Sequence, residues 1–357
     1  MNKRTLEAIH DVLYAKMRSY LAKKTRIRIF KKKCSRKSLF RQQIKEIKTF
    51  YKPYIIPNMT FHKFYVEKTG DFYPEYIPQD IYVGHIDPYF NDLRSAKFID
   101  NKCYYDFWFH KFPQPYLVLK RMNNIWLNHF GKPVDAEEMK KLIANENEGL
   151  FIKQAEDSLG GFGVTFIENT ADAYDKIINI ANTIKFDIVI QRKLTQHPDC
   201  AKLNNSSVNS VRIYSLLRKD GSVKIYSSVL RMGVGNTKVD NYGSGGISCG
   251  ITPDGTLKKY AYNKVGARVD KHPYTGVVFE GYKIPSYDKA VELVKEAHLA
   301  IPHFRSVSWD VAINEEGSPV LIEANLSRGS IDLLQLSNGP LFGDDTVSIL
   351  NEVFGNN

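Results

Sequence analysis

The sequence has few cysteines and lacks any long apolar run. Its four cysteines form no CxxC pair and no zinc-ligand spacing with a histidine, so neither a disulfide scaffold nor a zinc site is expected. We expect free thiols in a reducing compartment. No apolar run approaches the roughly 18 residues of a membrane span, and no apolar segment of the secretory type follows the basic N-terminus. These absences predict a cytoplasmic protein. The cysteines are Cys34, Cys103, Cys200 and Cys249.

The excess of basic charge lies at one end of the chain. The net charge is +11, and residues 1–50 alone hold 16 Lys and Arg against 3 Asp and Glu. The densest run is KKTRIRIFKKKCSRK, at 23–37. Such a run favours contact of residues 1–37 with an anionic membrane surface or an anionic polymer, and a solvated helix face with a linker is the alternative. No module that interleaves basic residues with exposed aromatics is recognisable, so no nucleic-acid partner is expected.

Beyond residue 95 the pattern alternates amphipathic helices with hairpins. Asp135, Thr170 and Ser286 each stand where the N-cap of a helix is expected. Glycine-containing turns at 219–221 and 253–255 separate apolar segments typical of paired strands. Runs of hairpins predict an α+β fold with mainly antiparallel sheets rather than a regular βαβ repeat.

The last predicted hairpin, SVSWDVAI followed by PVLIEANL, combines acidic residues with a buried pattern. A symmetric turn between the strands pairs Ile313 with Val320 and Asp310 with Glu323, and residues that oppose each other share a face. Asn325, two residues after Glu323, lies on that face as well. The opposite face is then the core side, formed by Trp309, Val311, Ile313, Val320, Ile322 and Ala324.

Two carboxylates directly opposite each other repel, so something must offset their charge. Hard oxygen ligands in this arrangement suit Mg²⁺, which proteins usually hold with one or two carboxylates together with substrate phosphates. The alternative is an exposed face where water separates the charges. The sequence therefore predicts a magnesium site at Asp310, Glu323 and Asn325.

A nucleotide-binding element of an uncommon kind is present. The sequence has neither a Walker A loop nor a Rossmann fingerprint. Instead, FIKQAEDSLGGFGV places Lys153 on a strand before a loop with Gly160, Gly161 and Gly163. Glycines allow the backbone to approach a phosphate closely, and the lysine supplies a point charge, although a plain tight hairpin is an equally good explanation of this segment alone.

Together these residues resemble the ATP-grasp superfamily. The similarity lies in the Lys153 strand with its glycine loop, the strand FDIVIQ, and Asp310…Glu323-x-Asn325, with Lys102 as the upstream lysine. Further segments resemble the sugar-transfer-associated ATP-grasp branch, and the similarity covers roughly residues 95–345. These segments are VIQRKLTQHP, SVNSVRI, LRMGVG, KVDNYGSGGIS and IEANLSRGSIDLLQ.

The resemblance implies the ATP-grasp fold, in which two α+β subdomains with mainly antiparallel sheets grip the nucleotide, here preceded by a basic helical region. Charge and aromatic content predict a basic helical arm at 1–50 and an aromatic-rich region at 51–100, and the first 95 residues lie outside the general superfamily pattern. The small subdomain with the glycine loop is expected at 101–200, and the C-terminal subdomain with the metal site at 201–357.

The resemblance also implies an ATP- and Mg²⁺-dependent carboxylate–amine ligase that forms an amide through an acylphosphate. Lys102 and Lys153 would hold the α- and β-phosphates, and the loop with Gly160, Gly161 and Gly163 would close over the triphosphate. The nucleotide-binding residues of the strand end are expected to be Gln191, Arg192, Leu194 and Gln196, with Gln196 and Asp199 as alternatives for the ribose.

Arginines suit such a reaction because a carboxylate and a phosphoryl group must approach despite their like charge, and guanidinium groups clamp either one. Arg212, Arg231 and Arg328 are the candidates. The acyl acceptor is expected near Ser327, Gly329 and Ser330. The name of the branch indicates a sugar-linked or polysaccharide-precursor substrate, as in capsule synthesis, and an enzyme at the inner face of a membrane. A phosphotransferase on the same fold and a non-catalytic nucleotide- or glycan-binding module are the competing hypotheses, and the oligomeric state stays open.

Overall fold

The computed structural model describes residues 39–156, 163–236, 245–327 and 329–355, together with single positions between 13 and 34. Three predicted site residues, Gly160, Gly161 and Arg328, lie outside the described residues, as does most of the NYGSGG segment. In the described part of the chain no helix is long and apolar enough to cross a membrane.

The smaller of two sheets has five antiparallel strands in the order β2-β1-β5-β3-β4. β-branched residues fill its central strand, IVIQR, whose first three positions are buried. Two helices pack on one face through an apolar core. The elements are β1 Leu117–Met122, β2 Ile125–Asn128, β3 Leu150–Gln154, β4 Val164–Ile167, β5 Ile188–Arg192, helix α4 Ala136–Ala144 and helix α5 Ala173–Thr183.

Of the two helix starts predicted for the helices that pack on this sheet, one is confirmed and the other is wrong. Asp135 caps α4, and its side chain accepts a hydrogen bond from the Glu138 backbone N–H, as predicted. The prediction that Thr170 caps α5 is wrong, because the N-cap is Asp172 and Thr170 forms a turn that precedes it.

The larger sheet has seven antiparallel strands in the order β10-β9-β8-β7-β6-β11-β12. Tight turns join three of its strand pairs at the predicted places, and glycines take the left-handed backbone these turns require, as at Gly221 (φ 81°) and Gly317 (φ 79°). The strands are β6 Ser210–Leu217, β7 Val223–Met232, β8 Ile247–Ile251, β9 Leu257–Asn263, β10 Arg268–Val269, β11 Ser306–Ile313 and β12 Pro319–Asn325.

Helices cover both faces of the larger sheet. On one face helix α7, Tyr287–Leu299, packs with Trp309 and the other core-side residues of β11. On the other face, the N-terminal helices and the last two helices form a second core around Tyr214 and Val229. The other helices of six or more residues are α1 Arg41–Tyr51, α2 Met59–Thr69, α3 Leu93–Ile99, α6 Pro198–Leu203, α7 Tyr287–Leu299, α8 Asp332–Asn338 and α9 Thr346–Phe354, and the segments 79–90 and 102–108 are helical as well.

The acidic hairpin has the predicted pair but not the predicted register throughout. Asp310 opposes Glu323, whereas Ile313 opposes Pro319 rather than Val320. The cause is a β-bulge beyond Asp310, which places an extra residue, Ile322, in β12. The bulge moves Leu321 to the core side in place of the predicted Val320 and Ile322.

Candidate active site

Asp310 is the centre of a buried cluster of charges. Arg212 lies directly opposite it on β6, and its Nε and one terminal nitrogen donate to the two Asp310 oxygens at 2.7 and 2.6 Å. Arg231 donates to Oδ2 at 2.8 Å. Burial alone would raise the pKa of Asp310, but the charges and hydrogen bonds of both arginines outweigh it and hold the pKa below its usual range. Asp310 is therefore an ionised carboxylate.

Glu323 is balanced by a different cation. The Lys102 ammonium donates to its Oε1 at 2.7 Å, and the lysine side chain is only 10% exposed. The two opposed carboxylates of the hairpin thus face three cations, which offsets the repulsion expected from the sequence. This pairing also places Lys102, the predicted phosphate ligand, directly beside the predicted metal ligands.

Asp310, Glu323 and Asn325 each keep an oxygen that could bind Mg²⁺. An ionised carboxylate offers about four lone-pair directions, and the arginines take three of those on Asp310, which leaves one on Oδ1. Asn325 donates from its amide nitrogen to the Ser308 carbonyl at 3.0 Å, and within the described chain its amide oxygen accepts no hydrogen bond. With Oε2 of Glu323, one oxygen from each residue is left for a cation.

This set is too small to hold a metal ion without further ligands. The described residues contain no group of three or more His, Cys, Asp and Glu side chains arranged for a metal. Two carboxylates with an amide oxygen fit Mg²⁺ when phosphate oxygens and water complete its shell, which is the usual way in which proteins hold this ion at nucleotides. The residues therefore fit a nucleotide-dependent Mg²⁺ site.

Lys153 lies on the smaller sheet beside the end of β5. Its ammonium donates to Oε1 of Gln191 at 2.8 Å. Gly163, the one described glycine of the loop, has φ 77°, and a Cβ there would lie 3.0 Å from the Cβ of Gln154. Both the backbone angle and the close approach therefore require glycine at the point where the loop returns to β4.

The predicted nucleotide-binding residues at the end of β5 and just after it differ in their surroundings. Arg192 forms an ion pair with Glu146 and stacks 4.4 Å from the ring centre of Tyr116, and Leu194 is half-buried. Gln196 uses its whole amide within the protein. Its nitrogen donates to the carbonyls of residues 204 and 207, and its oxygen accepts two hydrogen bonds from Asn209. The Gln196 side chain therefore has no hydrogen-bonding group left for a ribose, whereas the half-buried Asp199 forms an ion pair with Lys202 at 2.6 Å and lies beside His197.

Sequence reasoning missed Asp100, which precedes Lys102 by two residues and contacts the segment just after β12. Its carboxyl group accepts hydrogen bonds from the Leu326 backbone N–H at 3.1 Å and the Ser327 hydroxyl at 3.4 Å. Burial raises its pKa to about 7, and the nearby Glu323 carboxylate adds to the rise. Its position two residues before Lys102 was the available signal, but only the fold brings it to β12.

Two further residues that the sequence did not reveal fix the loop after β12. The Tyr105 hydroxyl bridges the backbone N–H and carbonyl of Ala324 at 3.0 and 3.1 Å. The Gln79 amide donates to the Gly329 carbonyl and accepts from the Ile331 N–H. The predicted acceptor residues Ser327, Gly329 and Ser330 thus belong to a loop that N-terminal residues hold in place.

The chain was compared with known proteins. A family described as sugar-transfer associated ATP-grasp matches residues 85–346, which is most of the chain. No curated protein matches.

The solved structures that the chain matches are distant in sequence. An N5-carboxyaminoimidazole ribonucleotide synthetase in complex with ADP is 12% identical over 65% of this chain and 45% of its own, with a TM-score of 0.40. The biotin carboxylase domain of the Hydrogenobacter thermophilus 2-oxoglutarate carboxylase is 14% identical over 72% and 46%, with a TM-score of 0.44. The ligase PsnB with its minimal precursor, Mg and ADP is 13% identical over 73% and 62%, with a TM-score of 0.42. The chain spans about half the length of the first of these structures.

Proposed function

The chain belongs to the sugar-transfer associated ATP-grasp family and has its α+β fold, and from this premise we propose that it is an ATP- and Mg²⁺-dependent carboxylate–amine ligase. One observation carries the proposal. The paired carboxylates of the β11–β12 hairpin are ionised or cation-paired and lie within one cluster with Lys102, Arg212 and Arg231. Such a cluster suits a site where a triphosphate and a carboxylate meet.

The nucleotide would lie between the two sheets. Lys102 and Lys153 would contact its phosphates, and the loop that ends at Gly163 would cover them, as the family resemblance implies. Asp310, Glu323 and Asn325 would hold Mg²⁺, which supplies charge neutralisation at the phosphates. Lys102 would then transfer its hydrogen bond from Glu323 to a phosphate oxygen.

The chain's own side chains position the reacting groups. Arg212 has five N–H donors and gives two of them to Asp310, so its guanidinium is fixed in place with donors to spare. Arg212 and Arg231 would bind the substrate carboxylate as its oxygen attacks the γ-phosphorus and ADP leaves. The amine then attacks the acyl carbon, phosphate departs, and the nitrogen loses a proton to give the amide.

The name of the family supports a sugar-linked substrate. We propose that the enzyme acts on a sugar-linked or polysaccharide-precursor acid or amine, such as a capsule intermediate, in the cytoplasm. Residues 1–37 of the basic arm would keep it near anionic intermediates at the inner membrane surface. The phosphate-transfer alternative differs only in its acceptor, a hydroxyl group, and the mass of the product distinguishes the two.

The proposal is tested by ligand-induced stabilisation in wild type, Glu323→Gln and, as the matched control, Glu316→Gln. Glu316 is an exposed acid in the turn of the same hairpin. At about 100 times its dissociation constant, Mg²⁺-ATP should stabilise the wild type and the control by about 2.7 kcal/mol. Glu323→Gln should lose most of this gain. An equal gain in all three proteins, or none in any, would remove the hairpin from the nucleotide site.

A further inference from the structure

The described positions of the basic arm include a stripe of exposed apolar side chains. Leu13, Met17, Tyr20 and Leu21 are helical in the structure, and each is more than half exposed, at 59, 52, 60 and 52%. Their spacing of four, three and one residues places them on one side of an α-helix. Single exposed apolar residues are ordinary, but four on one helix face form a surface that needs an occupant.

Basic residues follow and flank this stripe. Lys23, Lys24 and Arg28 are helical and exposed, and the Lys24 ammonium lies 5.9 Å from the ring centre of Tyr20. In the sequence, residues 1–37 hold 13 Lys and Arg against 2 Asp and Glu. An apolar stripe within a strongly basic segment is the pattern of helices that lie in the interface of a membrane.

The base of the arm is attached to the folded protein. Ile27 and Cys34 are partly buried against the aromatic core that includes Phe61 and Tyr65. The same core contains Leu333 and Leu336 of α8, the helix that follows the loop after β12. The base of the arm is therefore attached close to that loop.

We propose that the stripe formed by Leu13, Met17, Tyr20 and Leu21 docks into the interface of an anionic lipid bilayer, with the neighbouring lysines and arginines on the headgroups. This inference deepens the proposed function, on whose membrane contact it rests, because it replaces attraction by charge alone with insertion of apolar side chains. A second copy of the chain is a poorer occupant, since two arms of equal positive charge repel. Docking at this place would present the loop after β12 to lipid-linked substrates.

The test is flotation of the full-length protein with vesicles of phosphatidylcholine, with and without phosphatidylglycerol, in the absence of nucleotide. The wild type should float only with the anionic vesicles. The double variant Leu13→Gln/Met17→Gln should partition roughly tenfold or more weakly, because each change removes an apolar side chain from the interface without altering the charge. Leu299→Gln is the matched control, since Leu299 ends α7 and is 54% exposed, and it should float as the wild type does.

Salt and self-association separate the remaining explanations. Binding by insertion should survive high salt in part, whereas Lys23→Gln/Lys24→Gln should bind several-fold more weakly at low salt. Binding that salt abolishes, and that Leu13→Gln/Met17→Gln leaves unchanged, would overturn insertion while leaving charge attraction intact. A wild-type dimer without vesicles that the same double variant dissociates would assign the stripe to a second copy and overturn the proposal. Because no nucleotide is present, failure of the ligase assignment does not affect any of these results.

Discussion

Arg212 and Asp310 face each other across β6 and β11 and share two parallel hydrogen bonds of 2.7 and 2.6 Å. The pair is nearly dry, with side-chain exposures of 18 and 4%. Asp310 would therefore have two roles. It would bind a cation, and it fixes the guanidinium of Arg212 that the substrate would contact.

Asp310→Asn should destabilise the protein and abolish turnover. The change leaves two guanidiniums near a neutral amide, and breaking a buried ion pair by removing one partner typically costs about 3–5 kcal/mol. Urea unfolding checks the first effect, and ADP release in the presence of substrates checks the second. Glu137→Gln is the control, because Glu137 pairs with Lys140 on the exposed side of α4 and should cost about 1 kcal/mol or less. Equal losses in the two variants would contradict the buried pair.

Asp100 should give the wild type a pH-dependent stability that Asp100→Asn lacks. Its folded pKa, about 7, lies above the unfolded value of 3.8, so the folded state holds the proton more tightly. The resulting contribution is fully present below the unfolded pKa and is lost as pH rises to about 7, at up to about 1.4 kcal/mol per pH unit. Urea unfolding without Mg²⁺ or ATP, from pH 5 to pH 8, measures it. A wild type and variant that differ by a constant amount across this range would show that Asp100 is ionised throughout.

The parts of the site that follow local rules were predictable from the sequence. The pairing of Asp310 with Glu323 came from the turn position and the two-residue period of a strand, and the ATP-grasp fold came from the motifs. The register beyond that pair was not predictable, because the bulge at Ile322 adds a residue to β12 and no glycine or other turn residue marks its position in the sequence. Tertiary contacts were equally inaccessible, since Asp100 and Tyr105 reach β12 from more than 200 residues away in the chain.

Gly163→Ala should cost more stability than Gly131→Ala. Both glycines have a left-handed backbone, with φ of 77 and 74°, so both variants carry the steric cost of about 1–2 kcal/mol. A Cβ at Gly131 meets nothing within 4 Å, whereas one at Gly163 lies 3.0 Å from the Gln154 Cβ. The difference between their urea midpoints measures that contact. Gly163→Ala should also weaken ATP binding, because the loop would return to β4 at a shifted position, and unchanged binding would separate this glycine from the nucleotide.

Gln196→Ala should destabilise the chain without a specific effect on the ribose. Four hydrogen bonds would be lost, to the carbonyls of residues 204 and 207 and to two nitrogens of Asn209. Each buried group left unsatisfied costs about 1–3 kcal/mol. The dissociation constants of ATP and 2′-deoxy-ATP, measured for each variant, separate this effect from ribose contact. If Asp199 is the ribose partner, Asp199→Ala should bind the two nucleotides equally while Gln196→Ala keeps the wild-type preference for ATP. The reverse pattern would mean that Gln196 gives up its contacts with Asn209 when the nucleotide binds.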